Sequence, residues 1–268
     1  MADKRLIDKV DDSSLVEYAG AKKLAVVLCL DMSQSMNTVV DNTNTVPTGE
    51  YGTREDGSKV QFVTGGVTRM NKLTEGVNQV VRHLLSRKDI QAEQIEIATV
   101  LFNENIYLEN PFVSLNNYNA SLLPKSGTGQ THLGEAVLTS LDLIEKRISQ
   151  YVAKEIGRYR PWLLVFTDGE DRGNPNDMQK AIQRANDLEN AGKIMTYCFG
   201  INDKELNLET LKLLNNNYSI HPFEAVNLDR IFEIISYALG QTATGQIGNP
   251  KIKIDEDIRR YLGGQKNG

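Results

Sequence analysis

Residues 24–37 read Leu-Ala-Val-Val-Leu-Cys-Leu-Asp-Met-Ser-Gln-Ser-Met-Asn, an uncharged apolar run that ends abruptly in one carboxylate and two hydroxyls. The apolar part, Leu24 to Leu30, is seven residues long. That is too short for a membrane span and too continuous for a strand with one wet face, so it predicts a strand buried on both faces. Asp31, Ser33 and Ser35 follow where such a strand ends. In an open parallel α/β sheet that carboxyl end is where ligands bind. A carboxylate with hydroxyls two and four residues on, in a loop that must curl back towards a helix, offers several hard oxygens to one point. Such oxygens suit Mg²⁺ or Mn²⁺. Taken alone, so short a motif is also accounted for by an aspartate capping its own turn, and the other loops have to decide.

Outward from this run, residues 1–23 are polar and charged and predict a loose N-terminal arm. Residues 37–67 are rich in Asn, Thr and Gly, lack helical periodicity and carry a short β-like piece at 59–64, so they read as a long insert in the loop. A helix follows, capped by Thr68, with Met70, Leu73, Val77, Val80, Val81, Leu84 and Leu85 on one face. Residues 94–102 and 106–113 are extended and joined by Asn103-Glu104-Asn105, which suggests an antiparallel edge. A Gly- and Thr-rich loop at 124–134 feeds a long amphipathic helix through Leu133, Val137, Leu141, Ile144, Ile148 and Val152. Pro161-Trp162-Leu-Leu-Val-Phe166 is the next buried strand, and it too ends in an aspartate, in Thr167-Asp168-Gly169-Glu170. Helix, strand and helix then alternate to about residue 240. This alternation predicts an α/β fold, a doubly wound, Rossmann-like, mostly parallel sheet with one antiparallel edge strand and helices on both faces. Residues 241–268 are rich in Gly, Gln and charge and are expected to form a flexible tail, dispensable for folding.

Composition limits the functions available. With 268 residues the chain can bury a large core in a single domain, spanning residues 24–240. Thirty Lys+Arg against 35 Asp+Glu gives a net charge of −5, and the basic residues are dispersed, so nothing asks for nucleic acid. The two cysteines, Cys29 and Cys198, lie inside apolar runs and read as packing residues in a reducing compartment. No run approaches the roughly 18 apolar residues of a membrane span, and the charged N-terminus lacks a signal-peptide core. The expected location is the cytoplasm.

Three loops now matter together: Asp31, Ser33 and Ser35 after the first strand, Thr131 at a helix start, and Asp168-Gly169 after the Trp162 strand. In order, spacing and strand context the sequence resembles the von Willebrand factor A domain family, over roughly residues 24–240. The stretches Gly-Gln-Thr-His-Leu-Gly-Glu-Ala (129–136) and Arg-Pro-Trp-Leu-Leu-Val-Phe-Thr-Asp-Gly-Glu (160–170) look most like the bacterial TerY-like branch. The resemblance implies a metal-ion-dependent adhesion site. Ser33 and Ser35 would ligate Mg²⁺ or Mn²⁺ through their hydroxyls, Asp31 and Asp168 directly or through water, and Thr131 would join or leave the shell. Gln130 stands where the family has a second glycine, which leaves Thr128 as an alternative to Thr131. The implied activity is a non-catalytic, metal-dependent protein-binding adaptor, in which an acidic residue of a protein partner completes the ion's shell. The implied setting is a bacterial stress-response or tellurite-resistance-type system with a protein kinase and phosphatase.

The competing class is a metal-dependent phosphoryl-transfer or hydrolytic enzyme with Asp31 or Ser35 as nucleophile. Its one candidate base is His132, beside Thr131; His83 and His221 read as packing or solvent residues. Asp171 and Arg172 read as a solvated rim, with Glu170 there or supporting the site. The insert, which leaves the sheet beside Ser35, is expected to set partner choice, with Tyr51, Arg54 and Phe62 as anchors.

Overall fold

Leu24–Asp31 (β1) is buried at every position, as its unbroken apolar sequence requires, and lies in the middle of a five-stranded sheet. The computed structural model describes residues 15, 22–53, 57–124, 126–201, 206–218, 220–246 and 249–265. The other sheet strands are Ile95–Phe102 (β4), Ile106–Ser114 (β5), Trp162–Thr167 (β6) and Met195–Gly200 (β7), in spatial order β5-β4-β1-β6-β7. β1 is parallel to β4 and β6, and β6 to β7, while β4 and β5 are antiparallel, so the one antiparallel edge strand is β5.

Because successive strand residues point to opposite faces, β1 feeds two cores. Leu24, Val26, Leu28 and Leu30 enter one and Ala25, Val27 and Cys29 the other. The first core is covered by Arg69–Ser86 (α1), Leu228–Ala243 (α5) and Pro250–Gln265 (α6); the second by Leu133–Ala153 (α2), Pro175–Asn190 (α3) and Leu208–Leu214 (α4). α1 begins where expected: Thr68 accepts from the Asn71 amide, and the Asn71 side chain accepts in turn from the Thr68 amide. Of the N-terminal arm, only Leu15, Lys22 and Lys23 are described, and Lys23 is buried, pairing with Glu96.

Two expectations are corrected. Residues 37–67 are not an irregular loop but a two-stranded antiparallel ribbon, Val39–Thr53 (β2) and Lys59–Thr68 (β3), separate from the main sheet. The ribbon is solvated along most of its length, so it needs no alternation of apolar and polar residues, and its Thr- and Val-rich composition suffices. Gly65 and Gly66 in β3 have φ near +80°, and a side chain at either would strike β2, which explains glycines inside a strand.

The second correction concerns residues 241–268. α5 runs on to Ala243, and instead of a flexible tail the chain forms α6, which packs against α5. Ile254 and Ile258, one turn apart, are buried in the first core, with Leu262 a further turn on packed against it. The charges that disguised this stripe have partners. Lys251 meets Glu189 at 2.9 Å and donates to the Asn215 carbonyl, while Asp255 lies between His221 and Arg259 at 2.8 and 2.7 Å. The helix therefore carries a share of the fold's stability. Ile254→Ala should cost about 2–4 kcal/mol in denaturant unfolding. An unchanged midpoint would mean that α6 is not held by that core.

Candidate metal centre

The parallel register of β1 and β6 pairs Leu30 with Phe166, so Asp31 and Thr167 emerge side by side at the carboxyl edge. There the Thr167 hydroxyl donates to Asp31 Oδ2 at 2.5 Å, and the Ser33 amide donates to Asp31 Oδ1 at 2.8 Å. Beyond it, Ser33 Oγ and Ser35 Oγ are 3.0 Å apart, and Ser35 Oγ donates to Asp168 Oδ1 at 2.6 Å. Asp31, Ser33 and Asp168 are all buried. The first and third of the three loops thus converge on a continuous chain of oxygens.

The middle loop is clamped against them by the backbone. Asn37 exchanges two hydrogen bonds with Gly127, each 2.7 Å, and Gln34 and Thr128 bond through their amides to Gly129 and Met32. Gly127 is obligatory here, because a Cβ would lie 2.0 Å from the Ser33 carbonyl. The positive φ of this loop, +73°, falls on Gly129, so Gln130 needs no glycine's freedom; its amide donates to Glu104. Thr131 is buried, its Oγ1 only 3.1 Å from where a Cβ on Gly169 would sit, and so it faces the Asp168 loop. The alternative, Thr128, is exposed, and its hydroxyl accepts from Asn103.

Some participants had no signal in the sequence. Arg69, the first residue of α1, reaches the centre and donates to Asp168 Oδ2 at 2.7 Å, with both side chains buried. It sits where the chain returns from the ribbon, its amide bonded to the Thr38 carbonyl, and no spacing rule ties it to the three loops. Asp171, read as rim, is corrected. Its Oδ1 accepts from the amides of Leu133 and Gly134, capping α2 from another loop, because His132 at the helix start provides no side-chain cap. Glu170 and Arg172 do form a half-exposed rim pair at 3.6 Å.

The donor set fits a small divalent ion. Its hydroxyl and carboxylate oxygens are hard donors of the kind such ions take, gathered within hydrogen-bond distance of one another. Among the described residues, no cluster of three or more His, Cys, Asp or Glu offers a different site.

Burial above all, and then the neighbouring charge of Asp168, push the Asp31 carboxyl up to about 6, opposed by the hydrogen bonds from Thr167 and Ser33. A folded-state value above the unfolded one means that the native protein holds the extra proton. This contribution to stability is therefore intact below about pH 4, declines as pH rises to about 6 and stays lost above it. Asp31→Asn keeps an acceptor for the Ser33 amide and removes the charge. With chelator present it should raise stability at pH 7.5 by about 2–3 kcal/mol and leave it nearly unchanged near pH 4. Equal melting curves at both pH values would show that the Asp31 charge costs the fold nothing.

Comparison with known proteins fits this architecture. The family model described as von Willebrand factor type A domain matches residues 25–236. A VWFA domain-containing protein of Acidianus two-tailed virus is 36% identical over 105 residues, which is 38% of this chain but only 11% of the viral protein. Among solved structures, the PilB minor pilin from Streptococcus sanguinis superposes with a TM-score of 0.57 at 14% identity, covering 87% of this chain and 65% of the pilin. The pilus adhesin SpaC from Lactobacillus rhamnosus GG gives a TM-score of 0.54 at 11% identity, covering 83% of this chain and 31% of the adhesin. No described helix is long and apolar enough to cross a membrane. With the family model matching well over half of the chain, from the second residue of β1 into α5, the chain belongs to the von Willebrand factor type A domain family.

Proposed function

We propose that this protein is a non-catalytic, metal-dependent binding module that holds a partner protein's carboxylate through a Mg²⁺ or Mn²⁺ ion. The observation that carries the reading is the convergence of the Ser33, Ser35 and Asp168 oxygens at one point on the carboxyl edge of the sheet, with Asp31 beside it. Ser33, Ser35, Asp31 and Asp168 would hold the ion, with Thr131 against the Asp168 loop as a further donor. Two carboxylates and neutral hydroxyls leave a hard ion short of ligands, and an external carboxylate is a natural sixth. The resemblance of residues 129–136 and 160–170 to TerY-like proteins supports an adaptor in a bacterial stress-response or tellurite-resistance-type system, in the cytoplasm, beside a kinase and a phosphatase.

Mn²⁺ titration by calorimetry tests the ion: the wild type should bind one equivalent, and Ser35→Ala and Asp31→Asn should each weaken it at least roughly tenfold, since the first removes an oxygen ligand and the second a negative charge. Heat changes that are the same in all three proteins would remove the site.

The ribbon is the natural source of specificity. Its root is tied to the ion loop, where the Thr38 amide bonds to the Ser35 carbonyl and Val39 pairs with Thr68. A shared carboxylate–metal bond does not tell one acidic partner from another, so surrounding surface must. Tyr51 is 65% exposed on the ribbon; Arg54 and the Phe62 side chain lie outside the described residues. Replacing residues 40–66 by a short Gly-Ser linker should leave Mn²⁺ affinity within about threefold and abolish EDTA-sensitive capture of the partner from the native cell. Undiminished capture would move recognition to the loops around Thr131 and Asp168.

A further inference from the structure

Resting on the ion-binding reading above, we propose that Arg69 is a built-in counter-cation of the centre. It offsets Asp168, so that the ion alone is held weakly, and a carboxylate ligand is required for tight loading.

The argument begins with an oddity of placement. Arg69 is the first residue of α1, where the helix presents the positive end of its dipole, and the first turn contains no acidic residue. A cation is disfavoured there. A guanidinium buried at such a position must be held by something else, and what holds it is Asp168, itself fully buried, at 2.7 Å. The backbone holds the arginine in place from three directions. Its amide bonds to Thr38, Thr68 caps the helix with Asn71, and the ribbon closes immediately before it. Arg69 is therefore anchored as firmly as the ligand loops are.

Asp168 is shared without conflict. Oδ2 takes the guanidinium and Oδ1 takes the Ser35 hydroxyl, so the oxygen facing the serines is the one left for an ion. Arg69 thus orients Asp168 for the centre while cancelling most of its charge. Of the described groups, Asp31 and Asp168 draw a divalent ion in, and Arg69, paired with one of them, works against it. Beside a buried carboxylate, Arg69 opposes the charge of a bound ion, and an anionic ligand on the ion offsets that opposition. In such surroundings an uncompensated charge is costly and a compensated one is not. Ion and carboxylate should consequently bind with positive coupling, and each must raise the affinity of the other by the same factor.

The probes are Mn²⁺ and acetate. In wild type, acetate should raise Mn²⁺ affinity severalfold, with Asp31→Asn as the blank for acetate's own weak hold on the metal. Arg69→Gln keeps a hydrogen-bond donor to Asp168 and removes the charge. It should bind Mn²⁺ alone roughly tenfold tighter and lose most of the acetate effect, whereas Arg69→Lys should stay near wild type. If wild type binds Mn²⁺ but Arg69→Gln binds it no tighter, the counter-cation role is overturned and the ion site stands. Should Arg69→Gln fail to fold, the acetate titration of wild type decides alone: affinity indifferent to acetate overturns the proposal. If neither wild type nor Arg69→Gln binds Mn²⁺, the ion reading and this inference fall together.

Discussion

Everything at the centre follows from one register. β1 and β6 are neighbours and parallel, with Leu30 opposite Phe166, so the first polar residues after their apolar cores, Asp31 and Thr167-Asp168, leave the sheet at the same level. A shift of one residue would turn β6 over, sending Phe166 out of its stack with Phe199 and Phe232 and moving Thr167 away from Asp31. The register is thus enforced by packing that begins one residue before the chemistry, at Phe166. The two aspartates are together because the apolar residues before them have no other way to be buried.

Bringing two carboxylates into one dry place is unfavourable for folding, and the surroundings divide the cost. Thr167 and the Ser33 amide satisfy Asp31, Ser35 and Arg69 satisfy Asp168, and the Asp31 carboxyl still rises to about 6 because burial outweighs those bonds. A fold selected for stability alone would place apolar residues of similar volume here. Buried charge at the carboxyl edge of the sheet, in contrast to the buried Glu96 with Lys23 and Arg147, marks a candidate functional site.

Much of this was legible before any coordinates. The apolar runs at 24–30 and 162–166 are continuous because both faces of their strands are covered, and a strand of that kind announces its end by its first polar residue. Three parts were hidden for separate physical reasons. The ribbon is solvated, so no burial periodicity marks it. α6 has a narrow stripe, Ile254 and Ile258, among charges whose partners, Glu189 and His221, are distant in sequence. Arg69 and Asp171 act through side chains that cross between loops, one to Asp168 and the other to the start of α2, and such contacts have no local signature.

The hydrogen-bonded chain at the centre also bears on how an ion would be accepted. Ser33 Oγ, Ser35 Oγ and Asp168 Oδ1 are held 3.0 and 2.6 Å apart by protons that lie between them. The loops carrying them are fastened by other groups, the Asn37 side chain to the Gly127 backbone and the Gln34 amide to the Gly129 carbonyl, rather than by the side chains that would have to turn. A serine hydroxyl has lone pairs to spare while donating, so it can take up a cation without surrendering its place in the loop. The oxygens therefore need to move little, and the binding energy of the ion is not spent on ordering the loops that hold it.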